Sequence, residues 1–329
     1  LTAGVWINPD TALRATVPFE RIVISRSLEG REAELVRGVM PARRYAAVSD
    51  DNTFVVQGRA VLKALGDSAF SVVLPTPHAD EDQIQALREL LHGADAVVAV
   101  GSGTINDLCK YVTSQDGRPY CVFATAPSMN GYTSTTASIT MRSGLKKTQK
   151  AHGARGVFVD LEINAAAPAY LIASGFGDAI CRSTAQVDWY LSHRLFATAY
   201  QQAPFTLQLA DEAALLSRSA GVGRRDPEAI GYLQRLLTLG GLGITIAGMS
   251  HPGSMGEHTI SHWIDSFSGA GHPGTVHGQQ VGVASITMAR LQQKLLSLPA
   301  PPTVRPTVVD EAGIRQRYPA AAVEMCLKA

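Results

Sequence analysis

The stretch Asp95-Ala96-Val97-Val98-Ala99-Val100-Gly101-Ser102-Gly103-Thr104-Ile105-Asn106-Asp107 decides the fold of this chain. Its first half is apolar at successive positions, as a strand buried between two helical layers requires. Its glycines then turn the backbone sharply into a helix. Outward from it, β-branched runs alternate with helical periods. Residues 21–25, 45–48, 71–74, 120–124 and 157–160 read as further strands. Residues 29–37, the segment after the turn Asp50-Asp51-Asn52-Thr53 up to about 65, and 81–91 read as helices. That order predicts an α/β unit with a doubly wound, Rossmann-like parallel sheet. Past residue 160 long helical periods take over, at 178–196, 205–217 and 230–249. The expectation is two domains, an α/β domain over 1–163 and an all-helical domain over 164–329, with a ligand cleft between them.

Composition narrows the class of function. A chain of 329 residues with 46% hydrophobic and 17% charged residues is folded and long enough for about two cores. Lys+Arg 29 against Asp+Glu 28 leaves +1, which excludes a protein that gains affinity by neutralising a nucleic-acid backbone. No stretch reads as a continuous apolar membrane span, and no basic and apolar leader follows Leu1, so a cytoplasmic protein is expected. Cys109, Cys121, Cys181 and Cys326 form no C-x-x-C pair and suggest neither a zinc knuckle nor a disulfide scaffold. A homo-oligomer is the generic expectation for such a protein. The proline-rich stretch 299–306 is the one low-complexity segment.

Three groups of residues carry chemistry. The turn at Gly101 and Gly103 lets a ligand approach the backbone, and the free N–H groups of the helix it opens suit a pyrophosphate. A plain tight connection fits the same pattern, because Asn106 stands where G-x-G-x-x-G needs its third glycine, and no Walker lysine follows. Thr125-Ala126-Pro127-Ser128 closes the next strand with hydroxyls that suit phosphate or ribose, or cap a helix. Asp50, after the second strand, is placed to bind a ribose hydroxyl. Five of the nine histidines, His251, His258, His262, His272 and His277, fall within 27 residues. His258 and His262 share a helical face, although the order is not that of a zinc protease. Two such imidazoles and a carboxylate make a metal site, and Asp178 in Ser174-Gly175-Phe176-Gly177-Asp178 is the candidate acid, its other reading being the cap of a helix it opens. Lys146-Lys147-Thr148-Gln149-Lys150 is basic enough to lend charge to a phosphate, but reads first as an exposed hairpin.

Together these segments resemble the sn-glycerol-1-phosphate dehydrogenases, within the superfamily of metal-dependent glycerol dehydrogenases and dehydroquinate synthases. The matching pieces are Gly101 to Asp107, Thr125 to Ser128, Gly175 to Asp178, Ser250 to His262 and His277 to Gly282, in the family's order. The resemblance implies a dehydroquinate synthase-like fold and a metal on Asp178, His258 and His277. It places NAD or NADP on Gly101, Gly103, Thr104, Ile105, Asn106, Asp107, Thr125, Ala126, Pro127, Ser128 and Ser134. His262, Asn130 and Asp178 would serve the substrate. The implied reaction is the reversible reduction of dihydroxyacetone phosphate to sn-glycerol 1-phosphate, with one divalent ion, zinc, nickel or iron, which an Asp/His/His set suits alike.

Two positions depart from the family's pattern. Asn130 stands where it usually has Asp, which keeps the shape and loses the charge. His251 stands where Arg is expected, and an imidazole grips phosphate more weakly than a forked guanidinium. The alternatives are therefore a polyol dehydrogenase-like enzyme with another substrate, or a homologue that holds nucleotide or metal with weak turnover. The expected partner is a small phosphorylated three-carbon molecule, with no nucleic acid and no membrane.

Overall fold

The sheet is built on strands whose two faces are both apolar. In the structure, a computed structural model, residues 1–300 are described, and all of 301–329 except 301, 304, 307, 328 and 329. The strands are β1 (Arg21–Ser25), β2 (Tyr45–Asp50), β3 (Ala69–Leu74), β4 (Ala96–Gly101), β5 (Tyr120–Ala124), β6 (Thr136–Thr140), β7 (Lys146–Lys150) and β8 (Gly156–Asp160). Six of them form a sheet in the order β1-β8-β5-β4-β2-β3, with every pairing parallel. The strands β6 and β7 pair antiparallel as a separate hairpin.

Period-two alternation divides each central strand between two cores. From β4, Val97 and Ala99 join one cluster, while Ala96, Val98 and Val100 join the other. The first cluster is covered by α4 (Glu81–Leu90) and α5 (Gly103–Asp116) through Ile84, Leu87, Leu108 and Val112. The second is covered by α1 (Glu32–Val39) and α3 (Arg59–Leu65) through Leu35, Val36, Val61 and Leu65. The helix expected after the turn at Asp50 begins as the short α2 (Asp51–Thr53) and passes through a π-helical turn, Phe54–Gly58, before α3.

After β8 the described residues form helices: α6 (Leu161–Ala166), α7 (Ala169–Ile180), α8 (Arg182–Phe196), α9 (Ala203–Thr206), α10 (Leu209–Ser217) and α11 (Ser219–Gly223). They continue as α12 (Pro227–Ala247), α13 (Gly256–Phe267), α14 (His277–Leu296), α15 (Glu311–Arg317) and α16 (Ala320–Leu327). The helix α12 starts with proline and stops at Gly248 in the left-handed conformation, a pairing that fixes both ends. It is long and apolar enough to cross a membrane by length and composition, but 61% of its most apolar window is buried inside the protein. It is the helix around which α7, α9 and α10 gather.

Three expectations change. Asp178 does not open a helix; it lies in the last turn of α7, so the capping role is excluded. The helical period expected over 178–196 is broken at Cys181 into α7 and α8. The lysine-rich segment is a hairpin strand as expected, but its Lys146 is half-buried rather than exposed. Cys109, Cys121 and Cys181 are buried and free, and the Cys326 side chain and residues 301 and 304 of the proline-rich stretch lie outside the described residues.

Candidate active site

The site begins where β4 and β5 end side by side. Gly101 stands opposite Ala124, and the Thr125 N–H donates to the Gly101 carbonyl at 3.2 Å. A Cβ on Gly101 would press on Ile105 Cβ at 2.7 Å, so this turn needs glycine. From β2 the chain crosses to one side, toward β3, and from β4 to the other, toward β5. The crevice at their carboxyl ends is the place where such sheets bind ligands, and α5 opens there with its N–H groups and dipole.

Across a cleft of about 410 Å³, that turn faces α7, α13 and α14. Of the residues expected to hold the dinucleotide, Gly103, Thr104, Asp107, Ser128 and Ser134 line the cleft, beside Ser102 and Met129. Gly101, Ile105, Asn106, Thr125, Ala126 and Pro127 stand behind its wall. The Ile105 and Ala126 side chains belong to the cores, and Asn106 is fully buried and gives Nδ2 to Asp107 Oδ1 at 3.0 Å. Asp50 also lies outside the cleft lining, where its Oδ1 accepts from the Thr53 N–H at 2.8 Å in a capping box.

Sequence reasoning missed Lys110 and placed Lys146 in an exposed hairpin. The Lys110 side chain is fully buried, and its ammonium donates to the carbonyls of Gly131 at 2.6 Å and Thr136 at 2.8 Å and lies 3.4 Å from Asp107 Oδ1. Burial lowers its pKa, and the Asp107 charge opposes that. It pins the segment after β5 to α5, and the only trace in the sequence is a lysine among the core positions of that helix. Lys146 lines the cleft from β7, 2.7 Å from Asp265 Oδ2.

The helical wall brings Asp178, His258, His262 and His277 together, and the segment after β5 adds Asn130. One ligand atom each from Asp178, His258 and His277 lies within 4.8 Å of the others. The His258 Nε2 is 3.6 Å from Asp178 Oδ1, longer than a hydrogen bond. The rings of His258 and His277 lie 4.9 Å apart between centroids, and His262 stands 6.3 Å and 6.0 Å from them. One carboxylate and two imidazoles, held close without bonding one another directly, fit a divalent ion such as zinc, nickel or iron. A second group, Cys181, Glu257 and His258, is equally close but fully buried, and burial keeps the Cys181 thiol protonated. His251 does not line the cleft; its ring packs 5.8 Å from Trp189. His272 sits behind the wall, its Nε2 3.1 Å from Asp265 Oδ1.

Electrostatics separate the three cleft histidines. Burial works against the charge on His258, but the Asp178 and Glu257 carboxylates outweigh it and raise its pKa to about 9. Burial, then the His258 and Lys146 charges, push His262 down to about 4. The same influences hold His277 well below the usual histidine value. His262 and His277 are therefore neutral at pH 7.

The family described as iron-containing alcohol dehydrogenase matches residues 23–168, which run from β1 to the start of α7. A glycerol-1-phosphate dehydrogenase [NAD(P)+] of Halalkalibacterium halodurans is 34% identical, over 74% of this chain and 63% of the relative. One of Bacillus velezensis is 30% identical, over 88% of this chain and 75% of the relative. The chain belongs to the glycerol-1-phosphate dehydrogenase family. It spans 63% of the first relative's length, so the two sequences are not matched end to end. The fold of the family recurs in solved structures, including glycerol dehydrogenase from Schizosaccharomyces pombe, with TM-score 0.68 and 18% identity over 85% of this chain and 72% of that one.

Proposed function

We propose that this chain reduces dihydroxyacetone phosphate to sn-glycerol 1-phosphate, reversibly, with NADH or NADPH and one divalent metal ion. One observation carries the reading: the helix N-terminus at Gly103 and the trio Asp178, His258 and His277 face each other across a single cleft. In this reading residues 1–163 hold the dinucleotide and residues 164–329 the cation. The cation would act as a Lewis acid on the ketone, and the reduced nicotinamide would supply hydride.

The chain's own residues orient these groups and move the proton. The Asn130 N–H donates to Asp178 Oδ2 at 2.7 Å and fixes the carboxylate, leaving Oδ1 turned toward His258. The dinucleotide would lie along Gly103, Thr104, Ser128 and Ser134. His262, neutral at pH 7, has one N–H and one lone pair, so it passes a proton on rather than delivering one from a charged ring. Lys146 gives the cleft a cation for a substrate phosphate, in place of His251.

The test is NAD(P)H oxidation with dihydroxyacetone phosphate in zinc- or nickel-loaded protein. Turnover is expected, and its absence in metal-replete protein that oxidises NAD(P)H with unphosphorylated dihydroxyacetone would move the assignment to a polyol dehydrogenase. That second reading is favoured by Asn130, whose side chain lacks the charge the resemblance implies and packs beside Gly253. Asn130→Asp then distinguishes them, since a gain of about tenfold in kcat/KM corresponds to ~1.4 kcal/mol of transition-state stabilisation.

A further inference from the structure

Behind the proposed metal ligands lies a set of buried polar groups whose hydrogen bonds admit one arrangement. Ser261, on α13, is fully buried, and Gln280, on α14, nearly so. The Gln280 amide nitrogen lies 3.0 Å from Asp265 Oδ1, and its Oε1 lies 2.8 Å from Ser261 Oγ. Ser261 Oγ in turn lies 3.1 Å from His277 Nδ1. Asp265 is an ionised carboxylate held by Lys146 Nζ at 2.7 Å, so it only accepts. Gln280 must therefore turn its NH₂ toward Asp265 and its oxygen toward Ser261. An amide oxygen only accepts, so the Ser261 hydroxyl spends its one proton there. The remaining lone pairs of Ser261 can pair with His277 Nδ1 only if that nitrogen carries the hydrogen.

We infer that Asp265, Gln280 and Ser261 are positioning residues that hold His277 in the Nδ1–H tautomer, leaving its Nε2 lone pair for the cation. His258 is set by a shorter route. Its Nδ1 is 2.9 Å from Glu257 Oε1, on a fully buried carboxylate, and its Nε2 is the atom turned toward Asp178. The two imidazoles thus reach one arrangement by different means, one through a direct carboxylate and one through a three-residue relay. Lys146, on the β6–β7 hairpin, holds the Asp265 end of that relay, so an α/β element supports a ligand on α14. Orientation of a ligating histidine by its other nitrogen is a general requirement of metal sites.

This inference rests on the metal assignment proposed above, and its test separates the two. Imidazole ¹⁵N shifts of the chelator-treated protein report the His277 tautomer with no metal and no activity involved. The Nδ1–H form is expected in the wild-type chain, and a predominantly Nε2–H ring would overturn the inference. In Ser261→Ala and in Gln280→Met the ring should shift toward Nε2–H; an unchanged tautomer in both, with the fold retained by circular dichroism, would equally overturn it. Zinc titration of the same proteins should show a 10- to 100-fold weaker Kd in both variants. Wild-type affinity in both, despite a changed tautomer, would show that the relay does not serve the cation. Failure of the ligand assignment reads differently: His258→Ala would then bind zinc as the wild type does, whatever the His277 tautomer.

Discussion

His262 and His258 sit one turn apart on the same helix, yet their surroundings drive them in opposite directions. Burial strips water from both, but His258 has the Asp178 and Glu257 carboxylates against its ring, and its charge disfavours a second charge on His262 more than the Asp265 carboxylate favours one. The sign of the pH dependence follows. Between about 6.5 and 4 the unfolded chain binds a proton at His262 that the folded chain does not, so stability rises with pH across that window. The His262 contribution is intact above about 6.5 and is lost as pH falls toward 4. His258 acts oppositely, with its contribution complete below about 6.5 and lost as pH rises through about 9. Chelator-treated protein should therefore lose on the order of 2 kcal/mol more stability than His262→Gln between pH 6.5 and 4. Urea denaturation at the two pH values checks this, and parallel curves would mean that His262 is not the group responsible. The i, i+4 spacing of these histidines and the Glu257 beside His258 are visible in the sequence; the approach of Asp178 to the His258 ring is not, because Asp178 lies 80 positions upstream.

At the scale of elements, the crossing of α7 and α14 sets the distance between Asp178 and His277. A Cβ on Gly177 would run into the Gly278 carbonyl, and a Cβ on Gly278 into the Ser174 carbonyl. The two helices approach on bare backbone, and Ser174 Oγ accepts from the Gly278 N–H at 3.1 Å. Sequence reasoning takes Gly175-Phe176-Gly177 for the loop before a helix, since glycine weakens helices in isolation. Tertiary packing overrides that propensity, because these glycines sit inside α7 to admit α14. Gly177→Ala should cost ~1–3 kcal/mol through overpacking and weaken zinc binding by pushing the two ligand-bearing helices apart. Thermal denaturation together with zinc titration checks both effects, and wild-type values in each would exclude the crossing as the spacer of the site. The glycine turn at 101–103 behaves differently and is legible from sequence, since the strand before it and the helix after it are neighbours in the chain.

For the whole molecule, the cleft couples the sheet to the helices. Its ligands would touch both, and neither half presents the full set in an unfolded chain. A ligand that binds only the folded state stabilises it by RT ln(1 + [L]/Kd), about 2.7 kcal/mol at a hundred times Kd. Zinc and NADH, each added at that excess to chelator-treated protein, should therefore raise Tm by several degrees, and differential scanning fluorimetry checks it. An unchanged Tm with either would remove that ligand from the cleft. Strand and helix alternation, the two-faced burial of β4 and β5, and the shared face of His258 and His262 follow from local periodicity, which a backbone repeat of 2 or 3.6 residues imposes on any buried element. The meeting of Asp178 with His258 and His277, the burial of Lys110, the inward turn of Lys146 and the retreat of His251 onto Trp189 have no such local signal. They are set by how closely helices far apart in the chain can pack, a distance that glycines at one crossing and a carboxylate at another determine in space alone.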